Sequence, residues 1–442
     1  MASTTFYRTA STATGATKYT LSMWIKRANI SVEQTLIGVV SGTTIELIKF
    51  GSDDKLYWYN RDAAGNAAEN STTGLFRDLS AYYHLVFSYD STEAAAADQK
   101  KLYVNGVATT WGSASAIQSS AVPGMNLDGA TRYIGREGSG TDYYYDGLMS
   151  FISFVDGTVY DASYFGSTDA SSGIWQIKTT PAVTYGNNGF LLKMETSSPT
   201  TDSSGNNNTF TSSGTPTLTQ DNPSNNFPII NKTMQPMLYT NATISNGGTT
   251  NTSNTSDYTI VCTMGATKGK WYWEVKMGNA GNTRNVGVVR ADQLRIAGNS
   301  SGFYPGGDGN ATNFTSAWNG STGFVQTNTA GTQVQVTSGV TTLTTGDIVG
   351  VALDLDSYTI NFYKNGTADG TGTLSSAWVE DFVLPCARAD HTQIMQFNFG
   401  NGFFGTSAVA SSNADAAGYG LFEYAVPTGH YAICTKNLNT YG

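Results

Sequence analysis

Apolar and polar residues alternate with period two along most of this 442-residue chain, and short groups of Gly, Asn and Asp separate the alternating segments. In residues 271–277 (WYWEVKM), apolar positions begin at Trp271 and recur at every second residue, so Glu274 falls on the opposite face. Strand side chains point alternately to the two faces of a sheet, so this pattern predicts half-buried strands. Many short strands with turn signals between them are typical of antiparallel sandwiches and barrels, so we predict an all-β fold.

Helical periodicity is nearly absent. The helix-like run at residues 91–101 (STEAAAADQKK) lies between two strand patterns. A short run in that position predicts a loop or a single helical turn.

One sequence pattern occurs twice: a strand that ends in Asp, a connection, and a second strand that ends in Asn-Gly. Residues 346–366 (GDIVGVALDLDSYTINFYKNG) carry it compactly, and residues 84–90 and 101–106 carry it around a longer loop. Asn-Gly accepts positive φ at both central positions of a tight hairpin, which predicts turns at Asn105-Gly106 and Asn365-Gly366. Chance is the alternative in a chain with 49 glycines, but the matched flanking strands favour equivalent hairpins in two related sandwiches.

The stretch at 197–231 divides the chain, since it is rich in Ser, Thr, Asn, Gly and Pro and nearly free of charge. Such a composition cannot bury a core of its own. A chain of this length predicts two domains. We place one β-sandwich at 1–197, a polar linker at 198–235 and a second β-sandwich at 236–442.

Composition and charge exclude several classes of function. Charged residues make up 13% of the chain, about half the usual ~25%. The net charge is -9 and no basic run occurs, which argues against nucleic-acid binding and against anionic membranes. The first residues lack a signal-peptide pattern, and no apolar stretch approaches the ~20 residues of a membrane span. Together with three widely spaced cysteines, for which we expect buried thiols, this predicts folding in a reducing cytoplasm.

The second half of the chain resembles the SPRY family. The matching segments, in the family's order, are 265–277 (GATKGKWYWEVKM), 285–289 (NVGVV), the hairpin at 346–366 and 395–405 (MQFNFGNGFFG). The resemblance implies a bent concanavalin A-like antiparallel sandwich that is used for binding rather than catalysis.

The first half resembles the laminin-G/concanavalin A-like group through 19–27 (YTLSMWIKR), 132–136 (RYIGR), 143–157 (YYYDGLMSFISFVDG) and 186–194 (GNNGFLLKM). This resemblance implies a second sandwich of the same ancestral fold.

The pairing of these domains, with 221–231 (DNPSNNFPIIN) and 426–438 (VPTGHYAICTKNL), resembles virion-associated proteins of tailed bacteriophages. That resemblance implies a virion-surface appendage protein, a tail fibre or capsid fibre, assembled in the host cytoplasm. Its implied partners are other copies of itself, other virion proteins and a host cell-surface glycan or protein, with no nucleic acid and no membrane insertion. A polysaccharide-degrading tail enzyme and a stand-alone carbohydrate-binding module are the alternatives.

No catalytic constellation is apparent in the sequence, so we predict that the protein is not an enzyme. Glycoside cleavage needs two carboxylates across a groove, and Asp354 with Asp356 form the best pair, although their position favours a hairpin turn. We expect Glu274 to be exposed. Calcium is the one cofactor to consider, because laminin-G-like domains often hold it; Asp128, Asp142 and Asp146 are weak candidate ligands, with turn capping or solvent exposure as the alternative.

Aromatic side chains on loops or outward strand faces are the candidate binding residues, because glycan stacking and protein hot spots use them. The candidates are Trp58, Tyr143, Tyr145, Tyr304 and Trp318. Core packing is the alternative for each. We expect Tyr143 and Tyr145 to share one strand face.

Overall fold

The alternating segments form antiparallel strands in the computed structural model. It describes residues 4–138, 140, 143–195, 198–234, 242–253, 258–279, 284–295, 314–330, 332–336, 339–389 and 392–442. The chain divides into two units, Met1–Leu218 and Thr219–Gly442. Regular structure in both is nearly all β, so the predicted fold class of two antiparallel sandwiches is confirmed.

The first unit contains sixteen described strands. They are β1 (Thr5–Thr9), β2 (Lys18–Arg27), β3 (Gln34–Ser41), β4 (Thr44–Phe50), β5 (Leu56–Arg61), β6 (Ala67–Thr72), β7 (Tyr83–Asp90), β8 (Lys100–Val104), β9 (Val107–Thr109), β10 (Trp111–Ser113), β11 (Thr131–Ile134), β12 (Gly147–Asp156), β13 (Gly166–Thr168), β14 (Trp175–Ile177), β15 (Phe190–Leu192) and β16 (Thr211–Ser213).

The strands of the second unit continue the numbering. They are β17 (Ala242–Ser245), β18 (Thr250–Ser253), β19 (Tyr258–Val261), β20 (Lys270–Asn279), β21 (Arg284–Arg290), β22 (Phe314–Asn319), β23 (Phe324–Thr329), β24 (Thr332–Val336), β25 (Ile348–Asp354), β26 (Thr359–Lys364), β27 (Thr367–Thr373), β28 (Val383–Ala389), β29 (Ile394–Asn398), β30 (Phe403–Phe404), β31 (Ser407–Ala408) and β32 (Tyr431–Ala432).

Helices are short. Helix α1 (Ala96–Gln99) is the single turn predicted between two strands, and α2 (Thr435–Tyr441) lies near the end of the chain. Short 3-10 turns occupy Gly124–Asn126, Ala162–Tyr164, Lys232–Met234, Ala291–Arg295 and Ser376–Glu380. In the described part of the chain, no helix is long and apolar enough to cross a membrane.

Each unit packs two sheets face to face. We call the sheet with the Asn-Gly hairpin the hairpin sheet; its strand order is β15-β12-β2-β7-β8-β9 in the first unit and β17-β18-β29-β20-β25-β26-β27 in the second, where β32 also pairs with β20. The facing sheet has the order β10-β6-β5-β4-β3-β11-β1-β16 in the first unit and β24-β23-β22-β21-β28-β19 in the second. The short pairs β13-β14 and β30-β31 lie outside these sheets.

The two units share one strand order. Strand β1 corresponds to β19, strands β2 to β9 correspond to β20 to β27, and strands β11 and β12 correspond to β28 and β29. With this correspondence, strands that are neighbours in the first unit are also neighbours in the second. They differ at the edges of the facing sheet, which β10 and β16 extend in the first unit alone among the described strands, and at one edge of the hairpin sheet. There β15 comes from the chain after the shared strands, whereas β18 comes from the chain before them.

Large aromatic side chains from both sheets meet in each core. Trp58 of β5 packs edge-on against Phe87 of β7, with ring centroids 5.3 Å apart. Trp318 of β22 packs in the same way against Phe362 of β26, at 6.1 Å. Trp271 and the alternate residues of β20 are fully buried, as the alternation predicted. Burial of each such aromatic side chain removes about 150–250 Å² of surface from water. Each Å² of apolar surface that is buried stabilises the fold by roughly 25 cal/mol.

Residues 198–235, which we predicted to be a linker, are instead divided between the two units. In the first unit, the Asp202 carboxylate accepts hydrogen bonds from the amides of Leu191 and Asn208, at 2.9 and 2.8 Å. Phe210 packs against a core phenylalanine of the same unit. In the second unit, Phe227 and Ile230 are buried in the core. Polar residues here satisfy backbone groups instead of forming a solvated spacer, so the predicted boundaries at 197 and 236 differ from the structural division.

The two Asn-Gly pairs form the predicted hairpin turns. Asn105 and Asn365 have φ of 49° and 48°, and the glycines that follow have φ of 83° and 81°. The Asn105 Oδ1 accepts a hydrogen bond from the amide of His84, and the Asn365 Oδ1 accepts one from the amide of Ile348, both at 2.8 Å. Each asparagine therefore ties its turn to the start of the neighbouring strand.

An aromatic ring covers each of these turns. A Cβ placed on Gly106 would lie 2.5 Å from the Trp175 ring, and one placed on Gly366 would lie 2.5 Å from the Tyr424 ring. An ion pair repeats as well: Lys18 with Asp90 at 2.7 Å, and Lys270 with Asp354 at 2.9 Å. The repeated sequence pattern thus corresponds to equivalent hairpins in sandwiches of the same strand order.

Replacing Gly366 with Ala tests the covered turn. We expect Gly366→Ala to lower the unfolding free energy of the second unit more than Gly418→Ala, because a Cβ at Gly418 meets nothing within 4 Å. Both substitutions cost about 1 kcal/mol because alanine must adopt a positive φ. Only Gly366→Ala also displaces the Tyr424 ring. Calorimetry of the full chain measures the difference, and equal losses would contradict the account.

Candidate functional site

Trp58 and Trp318 are core residues, so their interpretation as outward-facing binding aromatics is wrong. Both are fully buried. The Trp58 Nε1 donates to Glu46 Oε1 at 3.1 Å, and the Trp318 Nε1 donates to the carbonyl of Thr341 at 3.0 Å. They occupy inward positions of strands whose other face is polar. Tyr304 lies outside the described residues.

Tyr143 and Tyr145 precede β12 and do not share a strand face. Tyr143 is 44% exposed and has a φ of 58°, in the left-handed region. The Tyr145 hydroxyl donates to the carbonyl of Lys26 at 2.8 Å, and burial raises the pKa of this hydroxyl well above its usual value. Of this pair, Tyr143 is the more exposed, and Tyr145 is partly buried.

The weak calcium candidates do not form a cluster. Asp128 is exposed and accepts a hydrogen bond from the Thr12 hydroxyl at 3.1 Å, and Asp146 accepts one from the Asn29 amide at 3.4 Å. Asp142 lies outside the described residues. Among residues that the structure describes, no group of three His, Cys, Asp or Glu side chains is placed to hold a metal ion. The described candidates therefore do not fit the oxygen-rich coordination that calcium prefers.

The candidate acids near the second Asn-Gly hairpin have structural partners. Asp354 Oδ1 accepts hydrogen bonds from the amides of Asp356 and Ser357, at 3.0 and 2.9 Å, so it stabilises the turn as its position predicted. The Asp356 carboxylate accepts one from the amide of Gly269.

Glu274 is fully buried, so the expectation that it is exposed is wrong. It lies on the outer face of the hairpin sheet of the second unit, beneath the C-terminal segment. Its carboxylate accepts hydrogen bonds from the amides of Glu423 and Tyr424, both at 2.9 Å, and from the Asn398 amide and Tyr272 hydroxyl, both at 3.2 Å. Burial raises the pKa of Glu274 to about 7, and these hydrogen bonds oppose the rise. The covering segment is about 150 residues away in sequence, so the alternation alone could not reveal it.

The three cysteine thiols and the His84 imidazole are packed inside the protein. Cys262, Cys386 and Cys434 are buried and unpaired, as predicted. His84 is stacked between Trp24 and Trp175, and burial lowers its pKa to about 3, so it stays neutral at physiological pH.

A narrow cleft, with about 40 Å³ of room for water-sized groups, lies at one rim of the first unit. One wall is formed by the ends of β4, β5 and β6, and the other by residues 116–124. Tyr89 of β7 reaches the cleft from the opposite sheet and is almost fully buried. The cleft therefore opens between the two sheets of one sandwich.

Asn60 is the polar side chain at the base of this cleft. It lies on β5, two residues after Trp58 and on the same inward face, and it is 6% exposed. Neither Oδ1 nor Nδ2 has a hydrogen-bond partner among the described residues. A buried carboxamide without partners costs about 1–3 kcal/mol, so its presence there needs an explanation.

The charged groups at the mouth of the cleft already have partners. The Asp62 carboxylate accepts hydrogen bonds from the amide and the side chain of Asn66, both at 2.9 Å. The Arg61 Nε donates to the carbonyl of Thr43 at 2.8 Å. Val122 and Pro123 add an apolar wall. The cleft thus offers the buried carboxamide of Asn60, the exposed side chain of Gln118 and an apolar surface, and its charged groups Arg61 and Asp62 are hydrogen-bonded within the same domain.

Family comparisons match both halves of the chain. A model of the SPRY domain matches residues 270–402, and a model described as the concanavalin A-like lectin/glucanases superfamily matches residues 2–162. Residues 2–162 are thus similar to a concanavalin A-like domain and residues 270–402 to a SPRY domain, and the two units are called by these names below. Domains of these types indicate binding of protein or carbohydrate. No curated protein matches the chain significantly.

Solved structures similar to the chain include the SPRY domain of human HERC1, with 18% identity, 35% of this chain and 91% of that chain covered, and a TM-score of 0.27. The TRIM65 PSpry domain has 13% identity, with 35% and 83% covered and a TM-score of 0.27. A heptameric SAP-like pentraxin from Limulus polyphemus has 14% identity, with 36% and 71% covered and a TM-score of 0.28. Scores this low carry no argument about function.

Asn60 of the concanavalin A-like domain was missed from the sequence, although a signal was present. In residues 56–61 (LYWYNR) the inward positions are Leu56, Trp58 and Asn60, so an amide occupies a position where the alternation predicts an apolar side chain. An inward polar residue at the end of a strand is the feature that could have identified the cleft.

The pH dependence of the SPRY domain tests the burial of Glu274. Its pKa is raised in the folded state, so its stabilising contribution is complete below about pH 4.5 and is lost as pH rises through about 7. The loss amounts to about 3 kcal/mol at most, from about 1.4 kcal/mol per pKa unit. Urea unfolding of the full chain at pH 5 and pH 8 measures it.

In this test, Glu274→Gln should remove the pH-dependent component even if it lowers stability overall. Glu380→Gln is the matched control, because the Glu380 side chain is 72% exposed; it should keep the wild-type dependence. The same pH dependence in Glu274→Gln and wild type would contradict the assignment.

Proposed function

We propose that the chain is an attachment protein of a tailed-bacteriophage virion appendage, whose concanavalin A-like domain binds a neutral glycan in the Asn60 cleft. The observation that carries the glycan assignment is the buried Asn60 carboxamide, which has no hydrogen-bond partner among the described residues. Ligand sites commonly combine an apolar lining with a few placed polar groups, and this cleft has that composition.

The chemistry of a carboxamide fits a sugar ring. Its oxygen accepts and its nitrogen donates on the same side of one planar group. Two neighbouring hydroxyls of a sugar ring match it, because one hydroxyl can donate to Oδ1 while the other accepts from Nδ2.

The surroundings of Asn60 favour a ligand without charge. Arg61 and Asp62 are engaged by backbone and side-chain groups of the same domain. A net charge of -9 disfavours anionic ligands further. Val122 and Pro123 can pack against the C–H face of a sugar ring.

Replacing Asn60 with Leu tests the glycan proposal. We expect wild type to bind at least one neutral oligosaccharide of a bacterial surface, and Asn60→Leu to weaken that binding at least about tenfold, because two hydrogen bonds are lost. The variant should also raise the unfolding temperature, because it removes an unsatisfied buried amide. Asp128→Asn, which changes an exposed side chain outside the cleft, should leave binding unchanged, with or without a calcium chelator.

A glycan panel and titration calorimetry on the full chain measure binding, and scanning calorimetry measures stability. Wild type that binds no neutral glycan, or Asn60→Leu that binds as tightly as wild type, would refute the glycan proposal. A variant that is destabilised would instead assign Asn60 a structural role.

The appendage proposal rests on the sequence resemblance and on the two tandem binding domains. It places the chain at the virion surface, with other copies of itself and other virion proteins as partners. Mass spectrometry of purified particles should find the chain, and a particle reconstruction should locate it in a tail or capsid fibre. A chain that is absent from particles and free in virus-free cells would instead be a stand-alone carbohydrate-binding module.

A further inference from the structure

We infer that strand β24 of the SPRY domain is a self-association surface, at which two copies of this chain pair antiparallel about a two-fold axis through Val334. Residues Thr332–Val336 form the last strand of the facing sheet, and β23 is the strand described beside them. This inference concerns self-association and stands apart from glycan binding at Asn60, so either can fail without the other.

The outer edge of β24 is exposed. All five residues are exposed, and Val334 and Val336 are 54% and 37% exposed. An edge strand presents N–H and C=O groups that can pair with another strand. No backbone hydrogen bond to the described residues, other than those to β23, is recorded for Thr332–Val336.

The edge also lacks the usual devices that prevent strand pairing. Those devices are charges, prolines, bulges and very short strands. The sequence TQVQV contains no charge and no proline, and its pairing with β23 is regular over all five residues. By contrast, the edge strand β27 of the other sheet contains Asp369 and two glycines and has a register shift in its pairing with β26. Of these two described edges, β24 is the unprotected one.

The sequence of β24 is complementary to itself, which is why a second copy is the inferred occupant. When two copies run antiparallel about Val334, Thr332 lies opposite Val336 and Gln333 lies opposite Gln335, while Val334 meets its own counterpart. Each pair of opposing residues then points to the same face of the sheet, because Thr332, Val334 and Val336 point to one face and Gln333 and Gln335 to the other. The arrangement pairs β-branched side chains with each other and amides with each other, and both kinds of pair stabilise antiparallel strands.

A neighbouring groove enlarges the surface. It has a volume of about 570 Å³, including open solvent, and lies between Val336 and the β26–β27 hairpin, where Tyr363 and Asp369 line it. Asp369 is held by the amide and hydroxyl of Thr341. A strand added to β24 would run beside this groove, so the interface is not limited to the five paired residues.

The oligomeric state of the full chain tests the inference. Light scattering and sedimentation across a concentration series should show a monomer–dimer equilibrium for wild type. Val334→Lys places two like charges opposite each other at the axis, and it should weaken the dimer at least about tenfold. The matched control is Val107→Lys, because Val107 is a 68% exposed valine on the edge strand β9 of the other domain; this variant should dimerise like wild type.

Cysteine substitution tests the register independently of any effect of Val334→Lys on folding. The native cysteines are buried, so an introduced thiol on β24 is the reactive one. With oxidised glutathione as the oxidant, Val334→Cys should form an intermolecular disulfide readily, since the axis places that position against itself. Gln335→Cys should react slowly, since its counterpart is position 333. Three results would overturn the inference. They are a wild type that is monomeric at every concentration, a dimer or trimer that persists in Val334→Lys, and equal cross-linking of the two cysteine variants.

Discussion

The structure depends on the face-to-face packing of two sheets through their largest apolar side chains. In each unit a tryptophan of one sheet meets a phenylalanine of the other, Trp58 with Phe87 and Trp318 with Phe362. This packing decides where binding chemistry can lie. The tryptophans that would make the best stacking platforms are used inside the core, so a ligand has access to groups at the rims, where the sheets separate. Asn60 lies at such a rim, on the strand that carries Trp58.

The outer faces of the hairpin sheets are covered in a similar way in both domains. In the first, residues 158–185 cross the sheet and pack Phe165 and Trp175 against it. In the second, the C-terminal segment packs Phe422 against Tyr272, with ring centroids 5.1 Å apart, and encloses the carboxylate of Glu274. In both cases the chain that follows the last shared strand returns over the sheet and places an aromatic ring on the Asn-Gly turn.

Local sequence determines most of the secondary structure but not what covers it. The alternation at Trp271, the two Asn-Gly turns and the single helical turn at Ala96–Gln99 depend on nearest neighbours, so they could be predicted. The burial of Glu274 depends on a segment about 150 residues away, and the local sequence pattern does not predict that contact. The boundaries of the linker could not be predicted for a related reason. Asp202 and its neighbours are polar, yet they order the chain by accepting backbone hydrogen bonds, which composition alone does not distinguish from solvation.

The edge of the hairpin sheet has a consequence for how the chain folds. Adjacent domains with the same strand order are prone to misassembly, in which a strand of one domain pairs with the neighbours of its counterpart. Strand β15 reaches that edge from the C-terminal side of its domain, whereas β18 reaches its edge from the N-terminal side. If β12 and β29 were exchanged, β12 would lose its neighbour β15, which follows it in the chain. Likewise, β29 would lose its neighbour β18, which precedes it in the chain. This difference in the origin of the neighbouring strand penalises the exchange during folding.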